Sequence, residues 1–317
     1  MSFVYSVYER LKSNIEKVVI GKGEVIDLAV ITLLCGGHML VDDVPGTGKT
    51  LLAKTLASSI NCDFKRIQFT PDLLPSDLTG VNYFDMKNSV FEFIPGPVFT
   101  NILLADEINR ATPKTQSGLL ESMEERQVTV EGKTYRLDTP FFVIATQNPI
   151  ESMGTFPLPE SQLDRFLVKT EMGYPSREES NLIIRNNSGG QNTVEAVLSK
   201  KDVGDAAHEL ISVYAHDDII DYISSITEAT RTHGEVLLGA SPRAGIHLLR
   251  VAKGYAAIQG RSYVLPDDVK RAAEPVLSHR LVLSNAARVK KSLDKAVIRE
   301  VLEKVPVPTE AIFDGRS

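Results

Sequence analysis

The chain has no tryptophan, only two cysteines and no long apolar run, and each shortage excludes something. A bilayer span needs about 20 consecutive apolar residues, and nothing in these 317 residues approaches that. The opening MSFVYSVYERLKSNIEK mixes charge into its apolar positions instead of building the core of a secretory signal, which points to the cytoplasm. Cys35 and Cys62 stand alone with no C-x-x-C spacing, so reduced thiols near a core are expected. The six histidines are scattered without ligand spacing, which argues against a metal held by protein side chains alone. Positive charge is also short: 35 Lys and Arg face 41 Asp and Glu, a net charge of −6, so there is no general attraction to a polyanion. The basic clusters at 243–250 and 288–291 read as solvated helix faces.

What is present is the pattern of an α/β protein followed by a helical one. Five short apolar runs read as buried strands: HMLVD (38–42), KRIQF (65–69), NILLAD (101–106), FFVIAT (141–146) and FLVKT (166–170). Helical patterns between them predict a parallel sheet covered by helices. One helix follows the first run, with Leu51, Leu52, Thr55 and Leu56 at helical spacing, and another opens at Thr112-Pro113. Residues 80–96 and 126–137 alternate apolar and polar residues around Lys87-Asn88-Ser89 and Glu131-Gly132, which predicts two inserted β-hairpins. From Pro175 onward the strand signal disappears, and helices are expected to open at Ser241-Pro242 and Leu265-Pro266. NNSGGQNT (186–193) reads as a loop within that half. The boundary is expected near 172–177, giving domains of 1–175 and 176–317.

The stretch VDDVPGTGKT (41–50) sits between the first strand and the first helix of that plan, the context a phosphate-binding loop requires. Gly46 and Gly48 let successive N–H groups turn inward on phosphate oxygens, Lys49 brings a mobile cation, and Thr50 brings a hydroxyl for Mg²⁺. The usual pattern begins with glycine where this chain has Asp43. Aspartate enters the left-handed region more readily than most residues, so the turn survives and the carboxylate is expected to face away from phosphate. ILLADE (102–107) ends a buried run in two carboxylates. Strand alternation would send them to opposite sides, Asp106 to hold Mg²⁺ through its water shell and Glu107 to activate water. Asn148, in IATQNP (144–149), is placed to bridge a γ-phosphate and attacking water, and Arg165 and Arg243 could stabilise charge on a transferring phosphoryl group.

Together these segments resemble the AAA+ ATPases, and within them the MoxR family. The resemblance is carried by VDDVPGTGKT, LLADEINRATPKTQSGLLESMEERQVTVEGK, IATQNPIESMGTFPLPESQLDRF and LGASPRAGIHLLRVAKGYA, and runs from about residue 15 to Pro306. The family accepts Gly or Asp at the position of Asp43. The fold implied is an AAA+ P-loop domain with a five-stranded parallel sheet of order 5-1-4-3-2 and a C-terminal all-helical lid. Carried over by position, Pro45, Gly46, Thr47, Gly48, Lys49, Thr50 and Leu51 resemble Walker A, and Asp106 and Glu107 Walker B. Asn148 resembles sensor 1, Arg165 the finger that reaches a neighbour's nucleotide, and Arg243 sensor 2. Residues 18–26 resemble the stretch beside adenine, with Val19 and Gly21 nearest, and Lys22 stands where relatives often have Gln. The hairpins resemble the helix-2 insert and the pre-sensor hairpin. The family implies ATP and Mg²⁺, a head-to-tail ring that is commonly hexameric, protein clients, and a partner with a von Willebrand factor A domain.

Two rivals can be set beside a protein remodeller. A nucleic-acid motor would carry basic or aromatic hairpin tips, whereas DMKNSV and VEGKTY each hold one lysine with an acid nearby. A small-molecule kinase using the loop alone would leave Arg165, Arg243 and the lid unexplained.

Overall fold

In the computed structural model, the described residues are 2–42, 44, 46–148, 154–187, 193–284 and 293–308. The order begins with α1 (Phe3–Glu16), α2 (Gly23–Leu34), β1 (Met39–Asp42), α3 (Lys49–Ile60), β2 (Phe64–Gln68) and α4 (Pro75–Thr79). The hairpin β3 (Gly80–Asp85) and β4 (Val90–Pro95) comes next, then β5 (Ile102–Asp106) and α5 (Pro113–Glu125). A second hairpin, β6 (Gln127–Val130) and β7 (Lys133–Arg136), leads to β8 (Phe142–Gln147), α6 (Glu160–Leu163) and β9 (Val168–Thr170). The remainder holds α7 (Arg177–Asn187), α8 (Lys200–Ile211), α9 (Asp217–Arg231), β10 (Val236–Leu238), α10 (Pro242–Ile258), α11 (Pro266–Leu277), β11 (Val282–Leu283) and α12 (Leu293–Lys304).

The main sheet is five-stranded and parallel, in the order β2-β5-β8-β1-β9. Counting only its own strands, that is the expected 5-1-4-3-2. Its middle strands read as continuous apolar runs because both faces are covered. Met39, Val41, Ile102, Leu104, Phe142 and Ile144 join the apolar cluster formed with α1, α2, α3 and the C-terminal helices. Their alternates Leu40, Leu103, Ala105, Val143 and Ala145 join a second cluster beneath α5 and the hairpins. The period of two sends successive residues to opposite sides.

The helix starts follow local chemistry. Thr112 occupies the N-cap position of α5 without a side-chain bond to a helix N–H, with Pro113 in the first turn, and the Ser241 hydroxyl accepts from Ala244 N at the start of α10. In α11, Pro266 follows Leu265, whose N–H is taken by the Asp268 carboxylate. One expectation needs correction: the C-terminal part is not free of strands. β10 and β11 pair antiparallel, with Val236 opposite Leu283. At three and two residues they are too short for alternation to register. Another concerns 243–250, which is more than a solvated face: Arg243 pairs with Glu124, and Arg250 donates to the Cys35 carbonyl. The predicted loop at 186–193 begins inside α7, and its 188–192 portion lies outside the described residues, as do 288–291, Asp43 and Pro45. Both cysteines are free, and Cys35 is buried. Among the described residues no helix is long and apolar enough to cross a membrane.

His38, just before β1, joins three elements. Its Nε2 donates to the Met123 carbonyl at 3.1 Å and its Nδ1 accepts from Val143 N at 3.0 Å, so the ring is held neutral. Burial pushes its pKa down to about 4, and burial also pushes His247 down to about 3 and His279 well below its ordinary value. Each ring takes up a proton more readily when unfolded. Their contribution is therefore complete above about pH 6.5 and is lost as pH falls toward the folded pKa values. For His38 alone the loss amounts to about 3 kcal/mol by pH 4. Urea unfolding of the nucleotide-free protein should show lower stability at pH 5 than at pH 7, with a shallower drop in His38→Gln. Equal stability at both pH values would refute this account.

Candidate nucleotide site

The phosphate loop spans the gap between β1 and α3. Gly46 and Gly48 adopt φ of 86° and 98°, left-handed values that an L side chain resists. A Cβ on Gly46 would touch nothing, so backbone angle alone calls for glycine there. Lys49, the first residue of α3, donates from Nζ to the Val44 carbonyl at 2.7 Å, and the Thr47 hydroxyl reaches the same oxygen at 3.3 Å. The strand leading into the loop is tied down by the ion pair of Asp42 with Lys169 on β9, at 2.6 Å.

Gly46, Gly48, Lys49, Thr50 and Leu51 line a cavity of about 420 Å³ whose opposite wall is Asp106, Glu107 and Asn148. A second cavity of about 520 Å³ shares Gly46, Gly48, Thr50 and Leu51 with it and extends past Thr47 to Val19. Ile183 and Pro175 close this apolar end from the C-terminal side. Gly21 lies beside Glu179, whose carboxyl carbon a Cβ would meet at 2.1 Å, while its neighbours Ile20 and Lys22 line the second cavity. Residues 46–51 of the predicted loop thus come together, with polar walls at one end and apolar walls at the other.

The carboxylates are positioned by a hydrogen-bonded relay. Thr146 on β8 donates its hydroxyl to Asp106 Oδ1 at 2.6 Å and accepts Glu107 N at 2.8 Å. Arg66 on β2 pairs with Asp106 Oδ2 at 2.6 Å. Gln68, two residues along β2, donates to Glu107 Oε2 at 2.8 Å, and Arg110 approaches the same oxygen at 3.3 Å. The reason given from sequence for the divergence of Asp106 and Glu107 needs revision. β5 ends at Asp106, and Glu107 takes φ 56°, so a left-handed turn and not strand alternation sets its direction. Such a conformation costs a non-glycine residue roughly 1–2 kcal/mol, and the Thr146 hydroxyl helps to hold it. The Thr50 hydroxyl and Asp106 carboxylate are hard oxygen donors on one cavity, a set that fits Mg²⁺ with water completing its shell.

Arg165 and Arg243 do not line either of these cavities. They meet elsewhere, on one carboxylate. Glu124, near the end of α5, takes Arg165 Nε on Oε2 and Arg243 Nη2 on Oε1, each at 3.2 Å. All three side chains are about a third to a half exposed.

Residues 38–168 match the model of the ATPase family associated with various cellular activities (AAA), and residues 228–301 match the AAA lid domain. The chain is 49% identical to the uncharacterized protein YeaC of Bacillus subtilis, over 94% of this chain and 93% of that one. It is 40% identical to Chaperone MoxR1 of Mycobacterium tuberculosis, over 95% and 82%, and 31% identical to Protein MoxR of Paracoccus denitrificans, over 92% and 93%. The chain belongs to the MoxR family of AAA+ ATPases. A crystal structure of a candidate ATPase from Cytophaga hutchinsonii matches this MoxR-family fold with a TM-score of 0.91 and 41% identity, covering 97% of this chain and 96% of that one.

Several residues of this MoxR-family site carry little signal in the sequence. Arg66 and Gln68 flank the buried Ile67, so their shared side of β2 could be read from alternation, but their carboxylate partners lie about forty positions away. Thr146 ends a predicted strand like any polar terminus. Glu124 sits in a run of acids on α5, and nothing in the run singles it out.

Proposed function

We propose that this chain is a Mg²⁺-dependent ATPase that works as a subunit of a head-to-tail ring, hexameric as is common in the family, and remodels or matures protein clients. A von Willebrand factor A domain protein is its expected partner, and the ATPase core and lid divide at residue 175. Lys49 and the backbone N–H groups of residues 46–50 would hold the phosphates, with Val19 and Gly21 beside the base. A Mg²⁺ held by Thr50 and Asp106 would neutralise charge on the phosphate oxygens. Glu107 would accept a proton from water as that oxygen bonds to the γ-phosphorus. The bond from this phosphorus to the bridging oxygen then breaks, releasing ADP and phosphate. Asn148 would orient the water.

The observation that carries this reading is the division of the site. The loop, the two carboxylates and Asn148 share one cavity, while the two arginines suited to transferring phosphoryl charge face elsewhere together. In a head-to-tail ring Arg165 would meet the neighbour's nucleotide, with Arg243 beside it as the sensor 2 arginine of the lid. For the clients, the β3–β4 hairpin exposes Tyr83, Phe84, Met86, Phe91 and Ile94, with Lys87 at its turn and the acids Asp85 and Glu92 alongside. The absence of a basic track beside this exposed apolar patch suits polypeptide better than a phosphate backbone. The relative named Chaperone MoxR1 supports the same reading.

Mixing two inactive variants tests the interface. Lys49→Ala keeps its arginines and Arg165→Ala keeps its phosphate loop. In an equal, randomly mixed ring about a quarter of interfaces join the two good halves. Part of the ATPase activity should return. A mixture that demonstrably exchanges subunits and stays inactive at every ratio rules the across-interface arrangement out.

A further inference from the structure

The lid turn that follows α11 holds the most heavily bonded arginine of the site region. Arg280 is buried, its side chain 2% exposed. Its Nε donates to Asp164 Oδ1 at 2.7 Å, and its Nη2 to the carbonyls of Asp164 and Phe166 at 3.1 and 2.6 Å. Nη1 reaches the Leu167 carbonyl at 3.3 Å and also the Val276 carbonyl. Nη2 donates to His247 Nδ1 on α10 at 2.6 Å. The neighbouring His279 adds a bond from Nε2 to the Phe166 carbonyl at 3.0 Å.

The guanidinium therefore takes residues 164, 166 and 167, on both sides of Arg165, and fastens them to two lid helices. It makes no bond to Arg165 itself. Burying a guanidinium against a single carboxylate is costly, and an apolar contact of the same volume would often stabilise as much. What apolar packing lacks is a planar fork that fixes several oxygens in direction as well as distance. Arg243 rides on the same lid, one turn before His247 on α10, and meets Arg165 at Glu124.

We infer that Arg280 is a positioning residue for Arg165, making the lid and the finger-bearing segment move as one body. This rests on the proposal that Arg165 serves a neighbouring subunit. A lid displaced by nucleotide in its own subunit would then re-aim the arginine at the next site, so the state of one site is passed on around the ring. Arg280 acts through another residue, and its loss should leave its own phosphate loop intact.

Arg280→Lys separates this from a purely structural role, because an ammonium can still pair with Asp164 but cannot span the carbonyls of 164, 166 and 167. Nucleotide binding should stay near that of the parent chain while turnover falls about 10–100-fold, as expected when a charged group is displaced by an ångström or so. The defect should also cross the interface. Mixed with Lys49→Ala, Arg280→Lys should regain part of the activity, since its sound loops then meet sound fingers. Mixed with Arg165→Ala, it should regain none, because both lack the same half. Turnover within twofold of the parent, or no recovery with Lys49→Ala where Arg165→Ala does recover, overturns the inference. If Arg165→Ala also fails to recover at every ratio although subunits exchange, the across-interface arrangement falls and the inference with it. Should Arg280→Lys melt far below the parent, Asp164→Asn, which keeps the carbonyl bonds and removes the charge facing Arg280 and, at 3.8 Å, Arg243, enters the same mixtures with the same deciding outcomes.

Discussion

Glu107→Gln is expected to bind ATP as the parent chain does and to hydrolyse it about 10²–10⁴-fold more slowly, the usual worth of a general base. The substitution preserves the Cβ and the length of the side chain, so the left-handed backbone at φ 56° and the bond from Glu107 N to Thr146 are unaffected. Gln68 can still donate to an amide oxygen, which keeps the side chain in place. What disappears is the proton acceptor. Nucleotide affinity measured by titration and hydrolysis measured in a single turnover should therefore separate cleanly. Hydrolysis within a few-fold of the parent, with binding intact, would show that another group takes the proton. The slow variant is also the form in which to look for bound clients and partners, because it would dwell in the ATP state.

Arg165→Ala should lose about 10³-fold or more in turnover, the range for an arginine supplied to a transferring phosphoryl group across an interface. Binding should be spared, since Arg165 does not line the cavities that hold the phosphate loop. Stability should hardly change. The ion pair that is lost is about a third exposed, and such pairs contribute about 0–1 kcal/mol. Glu124 also keeps Arg243 as its partner. A wild-type rate in this variant removes Arg165 from the mechanism. A large fall in melting temperature would instead assign it to the fold.

The strands and the phosphate loop were legible because their signals are local. A buried parallel strand is a short apolar run, and a glycine-rich turn between strand and helix has few other uses. The sheet order and the arginine roles came with the family resemblance, since nothing in the spacing of Arg165 and Arg243 implies that they meet. What stayed hidden was pairing at long range. Arg66 finds Asp106 forty positions away, Arg243 finds Glu124 at 119, and Arg280 finds Asp164 at 116. Each of these arginines has the sequence context of an ordinary surface residue. The direction of Glu107 was misread for a different reason: the strand ends at Asp106, as the apolar run suggests, but alternation was carried one residue past that end, into a left-handed turn.

The two apolar clusters lie on opposite faces of the sheet, with alternate residues of β1, β5 and β8 committed to one or the other. The lid helices draw on the first, and the supports of the inserted hairpins, such as Leu78, Val98 and Val128, belong to the second. Substitutions that reshape the hairpins are therefore absorbed on one side of a stiff partition, and changes to lid packing on the other. Lineages descended from such a chain can vary the hairpins while the packing around the phosphate loop stays the same.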